Sequence, residues 1–515
     1  MRNILQEAVR LVKTINFITS TLPAQHGGRT KSLLQRARIF TDNNMKVIIY
    51  TTNYHQNYDL IYKHLYKNSA IDNKTEMINI FDYYRYSEKN VNINYKLFLT
   101  NELKKYYPNL VFDDMYEFKK HPEGVTYYYE NGRTVYHISR HACDGGNKVK
   151  NIDLYLPCYK RSIVRCYTDY RENIHKIRYF QAGTDIVISD VFVDTELKPY
   201  LIKEYSYLDE NQILDRIILF KKDKTSYVFR KEKDFFKYWY DEIFSDGDII
   251  INDARLLDKP LLECKRDVKR IFQLHSSHLG NPLIDSCETK NSFKTLFTYP
   301  LKKTDTIVSL TTSQKGDILK THHNLASSIV VIPHSLALKE MQFSANDKQI
   351  CIVARLSPEK RLEDAVEAFY LFNQRIKDYK LVIYGDGEEK EKLDKLIRNR
   401  GLENNITLMG RTDEPHKIFQ ESIFSIVSSI YEGFTLAILE SIANGCPVIS
   451  YNLRYGPSDI LDEHSGRITE INTPDALCQE MLLEIQQPKD RKVVRKRAEK
   501  FSTKSFMNEW KKLIT

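Results

Sequence analysis

Apolar positions change their period several times along this chain, and each change predicts a different kind of element. Near the start, residues 15–18 and 47–50 predict two strands, 30–40 predict a helix, and Leu22-Pro23-Ala24-Gln25-His26-Gly27-Gly28 predicts the loop that enters that helix. That order is a βαβ opening. From about residue 77 to 240 the texture becomes tyrosine-rich and alternating, as in 124–137 and 185–193, with further strands predicted over 213–221 and 226–230. Asn131-Gly132 between alternating runs is a hairpin signal. The α/β pattern returns at 248–253, 271–275 and 306–310, so an antiparallel β insertion is expected to interrupt the first domain. Residues 329–334 then lead into a second α/β unit with strands predicted over 349–354, 380–384, 406–409 and 424–427. The expected division is 1–76 with 241–340 for an N-terminal Rossmann-like domain, 77–240 for the insertion, 341–495 for a C-terminal Rossmann-like domain, and 496–515 for a final basic helix.

Length and composition narrow the class. At 515 residues the chain should form two or three domains, each with ample apolar surface to bury. No run of about 18 apolar residues is present, and the opening MRNILQEAVRLVKTINFITS is broken by Arg2, Glu7, Arg10 and Lys13. Neither a spanning helix nor a signal peptide is expected, which places the protein in the cytoplasm. The eight cysteines, at 143, 158, 166, 264, 287, 351, 446 and 478, show no CxxC or Cys/His ligand spacing, so free thiols are expected and no metal site. Lys+Arg exceeds Asp+Glu by 77 to 68, a net charge of +9 that suits an anionic polymer or an anionic membrane face and is also common in proteins that bind neither. In the insertion, Arg161, Arg165, Arg171, Lys176 and Arg178 alternate with aromatics. They read either as a solvated face or as a track for a polyanion, and no nucleic-acid motif accompanies them.

The richest chemistry lies in Ser428 to Ser450, SSIYEGFTLAILESIANGCPVIS. A helix pattern begins near Thr435, Asn444-Gly445 supplies its C-terminal stop, and Pro447 starts the next strand. The helix N-terminus therefore sits just after Glu432, where the backbone N–H groups of Gly433, Phe434, Thr435 and Leu436 suit a diphosphate. Glu440 follows about a turn and a half further on, so one carboxylate can reach a hexose hydroxyl and the other a ribose diol. Arg355-Leu356-Ser357-Pro358-Glu359-Lys360-Arg361 follows directly on a predicted strand, where open α/β sheets bind ligands. Arg355 and Lys360 can neutralise a diphosphate leaving group, one as a fork and the other as a point charge. Tyr384-Gly385-Asp386-Gly387 and Met409-Gly410-Arg411 end two further strands. They are open to two readings, a base-binding wall or plain turns, as are Gly27 and Gly28, which serve either a ligand's close approach or a tight turn.

Together these features resemble the retaining glycosyltransferases of family 4. The resemblance implies an α/β GT-B fold, two Rossmann-like domains facing across a cleft, with an antiparallel β insertion in the N-terminal domain. It further implies that Arg355 and Lys360 hold the donor diphosphate, Glu432 contacts the transferred sugar and Glu440 binds ribose, with Gly27 and Gly28 matching the glycine loop of the facing domain. Tyr455-Gly456-Pro457-Ser458-Asp459 and the tyrosine-rich insertion resemble more narrowly the wall teichoic acid α-glycosyltransferases of the TarM and TagE type. In that group a histidine at a strand end of the first domain lines the sugar site, and IFQLHSSH over 271–278 makes His275 and His278 the candidates. Residues 460–467 depart from the usual Asp-Gly-x-Asn-Gly-type loop there.

The activity this implies is metal-independent, retaining transfer of glucose or N-acetylglucosamine from a UDP-sugar to hydroxyls of a poly(polyol phosphate) chain, with Arg161, Arg165 and Arg171 as acceptor contacts. No cofactor and no nucleic acid are expected. A homo-oligomer, trimeric by resemblance, and at most peripheral membrane contact are expected. The rival enzyme is a protein O-glycosyltransferase of serine-rich or Ser-Asp-repeat adhesins. An inactive GT-B binding module is the rival from another class, and the presence of Arg355, Lys360, Glu432 and Glu440 together speaks against it.

Overall fold

The computed structural model describes residues 13–23, 27–85, 98, 101, 104–105, 116–121, 125–130, 133–140, 148–156, 158–209, 211–284, 288–338 and 348–514. The first twelve residues, the loop positions 24–26, the Asn131-Gly132 turn, Cys143 and Cys287 lie outside them. The chain gathers into two compact units: one from 1–26, 44–250 and 256–268, the other from 27–43, 251–255 and 269–515.

In the first unit, Thr14–Thr19, Lys46–Thr51 and Thr75–Asn79 pair in parallel, with Phe17 opposite Ile49 and Val47 opposite Thr75. Ile15, Phe17, Val47 and Ile49 are fully buried, as expected of parallel strands covered on both faces. The tyrosine-rich region forms a ten-stranded antiparallel sheet in which each strand neighbours the next in sequence, from Tyr116–His121 to Ser226–Phe229. Register shifts at Phe192/Val193, Glu204/Tyr205 and Tyr167/Thr168 mark bulges that bend and twist this long meander. Its alternating face buries Val135, Ile152, Val164, Cys166 and Ile177 together. The helix Glu232–Ile243 follows, with Glu232 and Asp234 in its first turn and Phe235, Phe236, Trp239 and Tyr240 buried on one side. Trp239 and Phe244 both meet Tyr50 edge-on, at 5.7 and 5.4 Å between ring centroids.

The second unit holds a six-stranded parallel sheet. Its spatial order is Ile406–Gly410, Lys380–Tyr384, Gln349–Val353, Phe424–Val427, Val448–Ser450 and Gly466–Ile468. The chain enters in the middle, winds outward through 380 and 406, and returns to place Phe424 beside Ile350. That reversal is a topological switch point, and it lies between the strands whose C-terminal loops carry Arg355, Lys360 and Glu432. Lys269–Gln273, Thr306–Ser309 and Ile329–Val331 form a further parallel set in this unit. The buried Arg270 grips the buried Asp305 with Nε and Nη2 at 2.8 and 2.6 Å.

The basic C-terminal region folds as Arg491–Ala498 and Thr503–Ile514. Arg491 donates to the carbonyls of Phe419, Gln420 and Ser422, Arg495 to that of Ala443, and Arg497 to that of Ile460. These cations satisfy carbonyls left open where helices end. Trp510 closes edge-on against Phe40 at 5.6 Å. Cysteines 158, 166, 264, 351, 446 and 478 are free, and no helix among the described residues is long and apolar enough to cross a membrane.

Asp305→Ala strands a buried guanidinium and is expected to lower stability by about 3–5 kcal/mol. The double change Arg270→Met/Asp305→Leu should recover most of that loss, as read by urea unfolding.

Candidate active site

The loops after Gln349–Val353 and Phe424–Val427 are tied to each other by two hydrogen bonds to backbone carbonyls. Ser428 Oγ donates to the Lys360 carbonyl at 2.9 Å, and the Ile430 N–H donates to the Glu359 carbonyl at 2.8 Å. Pro358 opens a single 3-10 turn, Pro358–Lys360, which Arg361 ends in the left-handed region at φ 43°. Lys360 is thereby aimed at Glu432, and their side chains form a salt bridge, each about one-fifth exposed. Ser429 Oγ donates to the same carboxylate at 3.2 Å. Arg355 stands further out, 70% exposed, with its guanidinium held 2.8 Å from Glu359. Lys360 and Glu432 therefore meet directly, whereas Arg355 flanks them.

The turn after Glu432 has little freedom. A Cβ on Gly433 would lie 2.5 Å from the His275 carbonyl oxygen, so only glycine fits without backbone movement. Phe434 is buried edge-on to His334 at 5.3 Å. Thr435 is the N-cap residue of the helix Leu436–Ala443, but its buried hydroxyl has no hydrogen-bond partner among the described residues. Gly456, at φ 110°, lets the chain pass so close that a Cβ there would sit 2.7 Å from that hydroxyl. The helix is eight residues long, and its first-turn N–H groups have no intrahelical acceptors. Glu440 lies on it and is salt-bridged by Lys31.

Lys31 belongs to the helix Gly28–Asp42, which Gly27 caps. No described atom lies within 4 Å of a Cβ added at Gly27, and one added at Gly28 meets only Leu436 at an ordinary 3.6 Å. Neither glycine has a positive φ. Crowding by described residues thus does not account for them.

Behind this surface lies a buried network. Arg36 Nη2 contacts both oxygens of Asp253, at 2.6 and 2.5 Å, and its Nη1 donates to Gln273 at 2.8 Å. His275 Nε2 is bonded to the same carboxylate. Burial alone would raise Asp253, but Arg36 and His275 overcome it and hold the carboxyl down to about 2. An ionised Asp253 can only accept, so His275 carries its proton on Nε2. Burial pushes the His275 imidazole down, with Asp253 opposing. His334 stacks on His275 at 5.9 Å and bonds Ser32 Oγ through Nδ1 at 2.9 Å.

His278 is placed differently from His275. It is fully buried between Phe297 and Tyr455, and neither ring nitrogen has a partner among the described residues. The Tyr455–Asp459 motif acts as a fastener: Tyr455 and Arg454 bond Asp317 at 2.9 and 2.6 Å, and Asp459 accepts from Thr312 N and Ser313 Oγ at the start of the helix Thr312–Thr321. Gly385 and Gly387 are steric necessities, since a Cβ on either would fall 1.8 or 2.2 Å from the carbonyl oxygen of Ala354 or Leu356. Tyr384 ends its strand half-buried beside them. Gly410, at φ 75°, accepts from Gly385 N at 2.8 Å, and Arg411 follows it exposed. Arg161, Arg165 and Arg171 belong to the first unit, where Arg161 pairs with Asp185, Arg165 with the buried Asp153, and Arg171 bonds the Tyr170 hydroxyl. No group of three or more potential metal ligands occurs among the described residues.

Reading the sequence alone missed Lys31, Arg36, Asp253 and His334. Asp253 had a signal, a carboxylate directly after the fully buried strand Ile249–Asn252. Lys31 and Arg36 had none, because helix-surface cations are ordinarily solvated.

Residues 337–501 match the family of glycosyl transferases group 1. That match places a group 1 glycosyl transferase domain over those residues, and with the two parallel α/β sheets the chain has the GT-B fold. Within that class it is similar to a poly(glycerol-phosphate) α-glucosyltransferase of Bacillus subtilis (strain 168), 27% identical over 96% of this chain and 74% of that one. It is also similar to a poly(ribitol-phosphate) α-N-acetylglucosaminyltransferase of Staphylococcus aureus (strain COL), 23% identical over 98% of this chain and all of that one. The crystal structure of a point mutant of S. aureus TarM in complex with fondaparinux, α-GlcNAc-glycerol and UDP superposes with a TM-score of 0.81 at 22% identity, covering 98% of this chain and 100% of that one.

The state of His278 makes a pH prediction. Burial pushes its imidazole down to about 4. Its contribution to stability is complete above the unfolded value of about 6.5 and is lost as pH falls towards 4, because the unfolded chain takes up the proton first. Urea unfolding at pH 7 and pH 4.5 should show a loss of about 2.4 kcal/mol from this residue, and His278→Leu should flatten the profile by that share.

Proposed function

We propose that the protein transfers glucose or N-acetylglucosamine from a UDP-sugar to hydroxyls of a wall teichoic acid poly(polyol phosphate), keeping the α configuration. The observation that carries this reading is the Lys360–Glu432 pair at the switch point, in a chain that matches two poly(polyol phosphate) glycosyltransferases over nearly its whole length. Before donor arrives, Glu432 holds the Lys360 ammonium in place. The donor diphosphate then takes Lys360 and Arg355 as counter-charges and the N–H groups of Gly433 to Leu436 as hydrogen-bond donors, which frees Glu432 for the sugar. Glu440 accepts from the ribose diol.

Charge balance supports metal-free transfer. A nucleotide diphosphate ester carries about two negative charges, and the two side chains with a helix N-terminus near +0.5 offset it. As the bond from C1 to the diphosphate oxygen breaks, the acceptor oxygen bonds C1 on the same face, and its proton passes to the leaving phosphate oxygen. No side-chain base is then needed. His275, proton fixed on Nε2, lines the sugar site in this reading. Self-association is assigned to the insertion, whose last strands expose Leu208, Ile213 and Val228 towards one sheet edge.

The test is UDP release from UDP-glucose and UDP-N-acetylglucosamine, each offered with poly(ribitol phosphate), poly(glycerol phosphate) or a serine-rich peptide. Polymer-dependent release is expected, and release with peptide alone would move the protein to adhesin modification. Lys360→Ala and Glu432→Ala should each lower turnover by at least about 100-fold while leaving the unfolding curve unchanged.

A further inference from the structure

Two helices of the second unit, Gly28–Asp42 and Leu436–Ala443, begin side by side. Their first residues adjoin, since a Cβ placed on Gly28 would stand 3.6 Å from Leu436. About one turn further along each helix, Lys31 of the one forms a salt bridge with Glu440 of the other. The helices therefore advance in the same direction from adjoining N-termini, and the Lys31–Glu440 pair spans them one turn above those ends.

The two partners are unequally placed: the Lys31 side chain is 50% exposed and that of Glu440 only 14%. An ion pair with one partner so exposed stabilises a fold little. Its effect is on where the carboxylate points. Lys31 Nζ donates to Glu440 Oε1, and no other side chain among the described residues bonds that carboxylate, so Oε2 is uncommitted. An ionised carboxylate offers about four acceptor positions, and one given to an ammonium leaves enough for both hydroxyls of a diol. Without its anchor the Glu440 head would turn about its side-chain bonds, and a ligand would have to order it on binding. With Lys31 in place that ordering is already done.

We propose that Lys31 is a positioning residue for the donor's ribose. By fixing Oε1 of Glu440 it aims the remaining acceptor positions at the 2′ and 3′ hydroxyls, and so sets a preference for ribonucleotides over 2′-deoxyribonucleotides. The role rests on the donor placement proposed above, in which Glu440 accepts from the ribose diol, and assigns the group that makes this recognition selective.

The experiment titrates the full chain with UDP and with 2′-deoxy-UDP, with urea unfolding as the check that each variant is folded. The unaltered protein should favour UDP about tenfold, the worth of one hydrogen bond to a charged group. Lys31→Ala should weaken UDP about tenfold and 2′-deoxy-UDP about threefold, shrinking the preference to about threefold while the unfolding midpoint stays in place. Lys31→Arg, which keeps a cation for Oε1, should restore most of the preference. In a Glu440→Gln background Lys31→Ala should have no further effect, because Lys31 acts through that carboxylate. Equal weakening of the two nucleotides by Lys31→Ala, or a further loss in the Glu440→Gln background, would overturn the positioning role. Either result, with polymer-dependent UDP release intact, leaves the proposed function standing. The expected ribose pattern without release from any UDP-sugar and acceptor would uphold Lys31 and overturn the function.

Discussion

One buried carboxylate sets the geometry of the loops around Glu432. Asp253 directly follows the buried strand Ile249–Asn252, and two cation-capable groups converge on it: Arg36 from the Gly28–Asp42 helix and His275 from the loop after Lys269–Gln273. A lone buried carboxylate would be costly and would protonate, whereas this one is held ionised by its partners. The same bond that fixes the ring of His275 fixes the loop on which it stands, and that loop is what Gly433 approaches to within glycine distance. The Glu432 turn, the His275 loop and the helix bearing Lys31 are therefore positioned against one polar anchor, with the Lys360 turn tied to the Glu432 loop by two hydrogen bonds to its carbonyls.

Much of this was legible from sequence because the relevant forces are local. Strand cores such as Val47 to Tyr50 and Phe424 to Val427 show themselves as apolar runs, and the helix after Thr435 has its stop written in Asn444-Gly445. The Lys360–Glu432 pair was legible as two separate loop motifs, since both follow strands of the expected kind. The contact between them was not, because it depends on Phe424–Val427 returning beside Gln349–Val353, which is a matter of strand order and not of local pattern. Lys31, Arg36 and His334 escaped for a similar reason. Each looks like an ordinary surface or strand-end residue until partners 409, 217 or 302 positions away arrive.

The basic residues divide into three kinds that net charge alone does not separate. Arg491, Arg495 and Arg497 are spent on carbonyls at helix ends, so the basic C-terminal region is an internal brace. Arg165 and Arg178 neutralise the carboxylates of Asp153 and Asp190 within the insertion sheet. Lys63, Lys148 and Arg171 belong to neither group, gathering on the Tyr170 ring without a salt bridge to a described carboxylate. Position and partner, more than count, decide which cations are available to an anion.

The edge-on contact of Trp510 with Phe40, supported by Arg36 over the same indole at 5.3 Å, joins residues 470 positions apart. During synthesis, the Gly28–Asp42 helix leaves the ribosome hundreds of residues before its covering helix exists. Its apolar face must wait, unpartnered or chaperoned, until the Thr503–Ile514 helix emerges. The second unit is thus a late-closing structure whose assembly is timed by translation of that helix, and premature termination near residue 500 would leave this face uncovered.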